Sequence, residues 1–363
     1  WSLLGFAAPS IIMMVFMSLY TIVDGIFISR FVGSNALSSL NIVYPMINVV
    51  IAIATMFATG GNAIVSRYLG QGQEKQAREA LTEFVVIGVL ISTVFAALVI
   101  LFEDPICRFL GANDELMADC KAYLTISMLF APACTLQTLF QSYFVTASRP
   151  GLGLWLTVAA GILNAVLDYV LIVPIPLGIA GAALATGFGQ LLPAVVGLIF
   201  FAIPRKALRF CRFSFRLREI RDACINGSSE MISQMATAIT TFLFNIILMR
   251  LAGSDGVAAM TILFYGQFLF NAFYLGFAIG IAPVVGYQYG AGNRMELRKI
   301  YRISFLFTVV SSVAMTAASI VLATPIVSVF TKEPETFALA DAGFKIFAVN
   351  FLFSGVNLVS SGF

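Results

Sequence analysis

No histidine occurs anywhere in the 363 residues, and only 11 % of them carry charge. The first absence removes the usual ligand of metal centres, the usual base of nucleophilic triads and the usual relay of proton pumps. The second removes the solvated surface of a soluble domain, in which about a quarter of residues are charged. The five cysteines, Cys107, Cys120, Cys134, Cys211 and Cys224, form no CxxC pair and no cluster at metal-ligand spacing. Cys107 and Cys120 share one expected loop and are read as unpaired. The first apolar stretch has no basic flank and no small-residue cleavage site, and it is too long for a secretory signal. The chain opens on Trp1 rather than Met, so a segment upstream is expected.

Sixty per cent of the residues are hydrophobic, and the mean hydropathy is +0.96. The apolar residues fall in stretches of about 20, the length a helix needs to cross a hydrocarbon core about 30 Å thick. Membrane strands would read as shorter alternating segments. The fold class expected is an all-α polytopic membrane protein. Ten spans are expected, at 1–29, 36–60, 81–101, 121–145, 152–173, 178–203, 224–249, 256–285, 303–323 and 341–363.

The basic residues orient these spans. One side collects Arg67, Lys75, Arg78, Arg149, Arg205, Lys206, Arg209, Arg212, Arg216, Arg218, Arg221, Arg294, Arg298, Lys299 and Arg302. The other holds only Arg30, Arg108, Lys121, Arg250 and Lys332, while Lys345 falls inside the last span. The positive-inside rule makes the first side cytoplasmic, with the N-terminus on it, in the plasma (inner) membrane. These basic residues flank spans, so the partner they imply is the bilayer and no nucleic acid.

The chain also repeats itself. A shift of 220 residues, without a gap, lays Arg30, Gly33 and Ser34 on Arg250, Gly253 and Ser254. It continues through Gly60 on Gly280, Val65 on Val285, Gly70 on Gly290, Gly72 on Gly292 and Arg78 on Arg298. Six spans separate the copies, an even number, so both enter from the same side and are related by an axis along the membrane normal. The expected organisation is a six-helix bundle at 1–203, a basic linker at 204–223 and a second, incomplete bundle at 224–363. The linker interleaves Phe210, Phe213 and Phe215 with Arg209, Arg212, Arg216 and Arg218, a composition suited to lipid headgroups or to plain solvation.

Among the carboxylates only Asp24, Asp168 and Glu230 fall well inside apolar spans, where a charge is costly and usually functional. Asp24 and Asp168 each lie six residues from an outer boundary, about 9 Å deep at 1.5 Å per residue. Tyr20 precedes Asp24 by four positions and Asn164 precedes Asp168 by four, so each polar partner shares the face of its acid. Thr186 in the next span reaches a similar depth. Glu230 lies nearer the cytoplasmic end, and its repeat partner is Ser10. Pro9 inside the first span is a candidate hinge. The turn Gly70-Gln71-Gly72 follows no strand and is no phosphate cradle.

With those residues in view, the chain resembles the multidrug and toxic compound extrusion family of secondary transporters. The resemblance rests on Ala8-Pro9, on Val23-Asp24-Gly25-Ile26-Phe27, and on Gly70-Gln71-Gly72 with its echo Gly290-Ala291-Gly292. Its most specific part is Asn164-Ala165-Val166-Leu167-Asp168 followed by Gly178-Ile179-Ala180-Gly181-Ala182-Ala183-Leu184-Ala185-Thr186. It implies twelve helices in two six-helix lobes, alternating access, and export of cationic, often aromatic compounds in exchange for H⁺ or Na⁺. By position, Asp24, Asn164, Asp168 and Thr186 match the cation-site residues of the N-terminal lobe, where a sodium ion could also be held. Gln141 stands where an Asn often does, and Glu230 resembles the acid of the seventh helix. A monomer without a cofactor and without enzymatic chemistry is implied. The competing readings are a lipid-linked oligosaccharide flippase of related architecture and a membrane-embedded enzyme or receptor.

Overall fold

The computed structural model describes residues 3–32, 34–112, 114, 116–204, 208–330 and 334–361. Within its helices the side chains of 22–30, 34, 35, 37, 38, 41, 237, 238, 241, 242, 245, 246, 249, 250, 252–255, 257, 258, 261, 329, 330 and 361 are outside that description. The described residues form helices and connecting turns, with no strand among them. The first half comprises α1 (Leu3–Phe31), α2 (Ser34–Gly70), α3 (Glu74–Leu101), α4 (Glu103–Phe109), α5 (Met117–Leu129), α6 (Ala131–Thr146), α7 (Pro150–Ile172) and α8 (Ile179–Ala202). After the linker come α9 (Leu217–Gly290), α10 (Arg294–Val321), α11 (Ala323–Phe330), α12 (Pro334–Phe347) and α13 (Asn350–Ser361). Seven helices contain stretches long and apolar enough to cross a membrane, and two bent pairs, α5 with α6 and α12 with α13, bring the candidate spans to nine.

The expected span boundaries shift for physical reasons. Helix 2 continues to Gly70 and helix 3 begins at Glu74, because backbone hydrogen bonding carries on past the apolar edge into charged sequence. The span expected at 121–145 bends by 51° between α5 and α6, where Pro132 in the first turn of α6 has no N–H to extend the ladder. The span expected at 341–363 bends by 49° between α12 and α13. The seventh and eighth spans share one helical segment, α9. Straight, its positions 227 and 290 would stand about 95 Å apart at 1.5 Å per residue. Gly227 nevertheless packs on Met56 and Gly290 on Arg67, two positions about 16 Å apart along α2. The two arms of α9 therefore fold back on one another.

The 220-residue repeat reappears boundary by boundary. α3 and α10 begin at 74 and 294 and end at 101 and 321, and the short helices after them begin at 103 and 323. The chain turns into α3 and into α10 through a glycine in the left-handed region, Gly72 with φ 72° and Gly292 with φ 69°, where a side chain would be strained. The copies also touch each other symmetrically. A Cβ at Gly70 would run into the Tyr287 carbonyl, and one at Gly290 would run into the carbonyl of Arg67, the repeat partner of Tyr287. Gly60 meets the Ala223 carbonyl, and its partner Gly280 meets Ala7, one turn along α1 from Leu3, the repeat partner of Ala223. Such reciprocal pairing is the mark of a twofold interface, here between two all-helical bundles. α1 continues through Pro9 as one helix.

All five cysteines are free thiols. Cys107 and Cys120 are both buried, and burial pushes the Cys107 thiol up to about 11. At pH 8 only about one Cys107 in a thousand is thiolate, so iodoacetamide should leave it unlabelled in the folded protein. Half-buried Cys211 should label first, as peptide mapping by mass spectrometry will show.

Candidate functional site

One face of α7 carries Gly153, Thr157, Ala160, Gly161, Asn164, Asp168 and Ile172, all buried. Their spacing of three and four residues keeps them in one stripe, while Trp155, Ile162, Val166 and Tyr169 on the opposite face are exposed and suit lipid. Asn164 is 4 % exposed and Asp168 2 %, so the carboxylate faces the bundle interior.

Glycines set the neighbours of that stripe. A Cβ at Gly181 would lie 2.7 Å from the Leu171 carbonyl oxygen, and one at Gly189 3.2 Å from that of Ala160. The absence of side chains there lets antiparallel α7 and α8 approach closely, and Asn164 Nδ2 donates to Thr186 Oγ1 at 3.5 Å. On the other flank, a Cβ at Gly153 would sit 3.6 Å from Met13 Sδ, and one at Gly161 2.7 Å from Phe16 Cε1 and 3.8 Å from Tyr20 Cγ. α1 and α7 therefore run parallel, with residues of α7 about 140 to 145 positions after those they meet on α1. Continued by one turn, that register carries the α1 backbone at Asp24 to the levels spanned by Asn164 and Asp168. The Asp24 side chain lies outside the described residues.

Of the residues singled out from sequence, Asn164, Asp168, Thr186 and half-buried Tyr20 thus gather between α1, α7 and α8. Gln141 lies deeper. Its Nε2 is 3.3 Å from both Met17 Sδ and Thr157 Oγ1, eleven residues or about 16 Å below Asp168. Half-buried Glu230 stands one turn beyond Gly227, which packs on α2. By the repeat it corresponds to Ser10, fourteen residues or about 21 Å before Asp24 along α1. No group of three or more Cys, Asp or Glu side chains among the described residues is arranged to hold a metal ion.

Two polar features escaped the sequence reading. Glu83, 1 % exposed, accepts the Arg216 backbone N–H at 2.7 Å, while Arg216 also pairs with Glu219 at 2.9 Å and with Glu79. Tyr68 donates to Glu219 at 2.8 Å, so this network ties the start of α9 to α2 and α3. Glu83 was passed over because it falls near a helix end. The second feature is a stripe of buried hydroxyls along α10, Ser304, Thr308, Ser312, Thr316 and Ser319, with Tyr274 donating to Ser312 at 3.0 Å. Their repeat partners are Phe84, Gly88, Ser92, Ala96 and Val99. Of these five hydroxyls only Ser312 has a hydroxyl partner in the first bundle, Ser92, so the stripe belongs to the second copy alone, and its spacing of three and four residues was the signal available in the sequence.

Comparison with known proteins bears on the whole chain. The family model described as MatE matches residues 9–170 and residues 231–363, one match in each copy of the repeat. The multidrug export protein MepA of Staphylococcus saprophyticus is 21 % identical over 365 residues, covering 99 % of this chain and 80 % of that protein. The MepA of Staphylococcus aureus strain NCTC 8325 is 22 % identical over 376 residues with the same coverage. Among solved structures, the D35N mutant of the Vibrio cholerae MATE transporter VcmN superposes with a TM-score of 0.90 at 20 % identity, over 99 % of this chain and 84 % of that one. A multidrug resistance MATE family transporter in its outward-facing conformation superposes with a TM-score of 0.89 at 19 % identity, over 99 % of this chain and 83 % of that one.

Proposed function

The chain belongs to the MatE family, and from that premise we propose that it exports small organic cations, many of them aromatic, in exchange for inward H⁺ or Na⁺. The observation that carries the reading is Asp168, a nearly fully buried carboxylate on the face that also bears Asn164, bonded to Thr186. A buried negative charge in a membrane bundle is retained at a cost, and a cation that comes and goes repays it. Asp168 with Asp24 is proposed as the exchanging pair, and Tyr20, Asn164 and Thr186 as its hydrogen-bonding surround. The amide and hydroxyl oxygens of Asn164 and Thr186 are hard donors suited to sodium. Gln141 is assigned to the deeper, substrate-facing layer. Glu230 is assigned a separate role on the cytoplasmic side of the second bundle.

In this reading, residues 1–203 and 224–363 rock against one another about the twofold axis, with 204–223 as the cytoplasmic linker and Pro9 as a hinge in α1. The N-terminus is cytoplasmic, the membrane is the plasma (inner) membrane, and the working unit is a monomer. Competition of two cations for one negative site couples the two flows. The test is reconstitution into liposomes loaded with ethidium, followed by an imposed pH or sodium gradient. At least one gradient should drive dye across the bilayer. Failure of both, across a panel of organic cations, would sink the exporter reading.

A further inference from the structure

We propose that residues 208–218 form a docking strip for anionic phospholipid headgroups. The strip has two sides with different chemistry. Its inner side is fastened to the first bundle. Leu208 is buried, the Phe210 ring lies 5.9 Å from that of Phe201, and Phe210 N–H donates to the Phe201 carbonyl at 2.7 Å. Cys211 N–H donates to Thr82 Oγ1 at 3.1 Å, and Arg216 is held by Glu79, Glu83 and Glu219.

The outer side presents what those contacts leave over. Phe215 is 67 % exposed and Leu217 81 %, and Phe213 meets Phe215 edge to face at 5.3 Å. Exposed Arg212 and Arg218 make no ion pair among the described residues, whereas Arg216 and Arg221 are each neutralised by a neighbouring carboxylate. Phe210, Cys211, Arg212 and Phe213 line an open hollow beside them. In water this surface would leave apolar side chains wet. At the edge of a bilayer the rings reach the acyl boundary while the guanidinium groups meet phosphate, and both are satisfied. The strip lies at that edge, because it joins the end of the membrane-crossing α8 at Ala202 to the start of α9 at Leu217. Arg209 donates to the Pro204 carbonyl, and the two exposed guanidinium groups without a carboxylate, Arg212 and Arg218, choose an anionic headgroup over a zwitterionic one.

The inference rests on membrane embedding and not on the exporter reading, so binding measured without transport tests it alone. The full chain, purified in detergent, is titrated with phosphatidylglycerol and with phosphatidylcholine and followed by native mass spectrometry. The wild type should retain phosphatidylglycerol in preference. R212Q/R218Q should lose about 25-fold in affinity, roughly fivefold per arginine at a membrane surface, while R212K/R218K keeps most of it. Equal affinity of the wild type for both lipids would overturn the proposal, as would a loss of less than twofold in R212Q/R218Q. An equal loss in R294Q/R298Q, away from the strip, would reduce the effect to bulk charge and overturn it as well.

Discussion

Asp168→Asn is expected to bring gradient-driven efflux down to background while the protein still folds and inserts. The side chain is 2 % exposed, and its helical stripe also holds Asn164, hydrogen-bonded to Thr186. Asparagine keeps the size and planarity of the carboxylate, so packing along α7 survives. It removes the one property exchange needs, a negative charge that two cations can occupy in turn. A hydrogen bond to a charged group contributes about 1.5–3 kcal/mol, so affinity for the coupling cation should fall about ten- to a hundredfold. Burying a neutral amide costs less than burying an ion, so the thermal midpoint should hold or rise. That combination separates a functional carboxylate from a structural one, whose loss would lower stability first. Wild-type efflux by Asp168→Asn in both proton and sodium gradients would show that exchange does not run through this site, and Glu230 would be the next residue to replace.

The sequence made some of this legible and hid the rest, for reasons that differ by residue. The glycines at 70, 72, 290 and 292 and the ungapped register around them announced the duplication, because a turn requiring left-handed backbone is difficult to place twice by chance. Asn164 and Asp168 were readable as one face from their spacing of four, and Thr186 from its depth in the following span. Glu230 was readable as nearer the cytoplasmic end from its place early in its span, and the repeat makes it the counterpart of Ser10. Gln141 was grouped with the acids by resemblance, but packing against Met17 and Thr157 places it a layer deeper. Hydrophobicity marks where a span can lie and not where its hydrogen bonding breaks or continues, so the bends inside two spans and the single run of α9 were missed. Contacts between residues far apart in sequence, such as Glu83 with Arg216, leave no local trace in composition.

The same limit applies to the seam between the bundles, which carries the second large expected effect. Adding one methyl group at Gly70 or Gly290 should open that seam. At both positions a Cβ would collide with a backbone carbonyl, of Tyr287 and Arg67 respectively, and no rotamer change can move a carbonyl aside. Overpacking of this kind costs about 1–3 kcal/mol. Alanine also strengthens a helix relative to glycine by about 1 kcal/mol, but it does so whether the seam is closed or open, so that gain cancels in the equilibrium between the two states. The open state should therefore rise about five- to a hundredfold in relative population. The twofold relation adds a sharper demand, since Gly70→Ala and Gly290→Ala break reciprocal contacts and should have similar effects. Because the two contacts adjoin, the double variant should fall short of the sum. Ser66, 1 % exposed and 2.6 Å by its Cβ from where a Cβ on Gly286 would lie, is a suitable reporter. In a Ser66→Cys background, a membrane-impermeant maleimide should label position 66 faster in either glycine variant, read peptide by peptide. Gly151→Ala, where nothing lies within 4 Å of the added carbon, should leave labelling unchanged. Protection of position 66 at the parental rate in both seam variants, each still folded, would mean that the bundles do not part along this glycine contact.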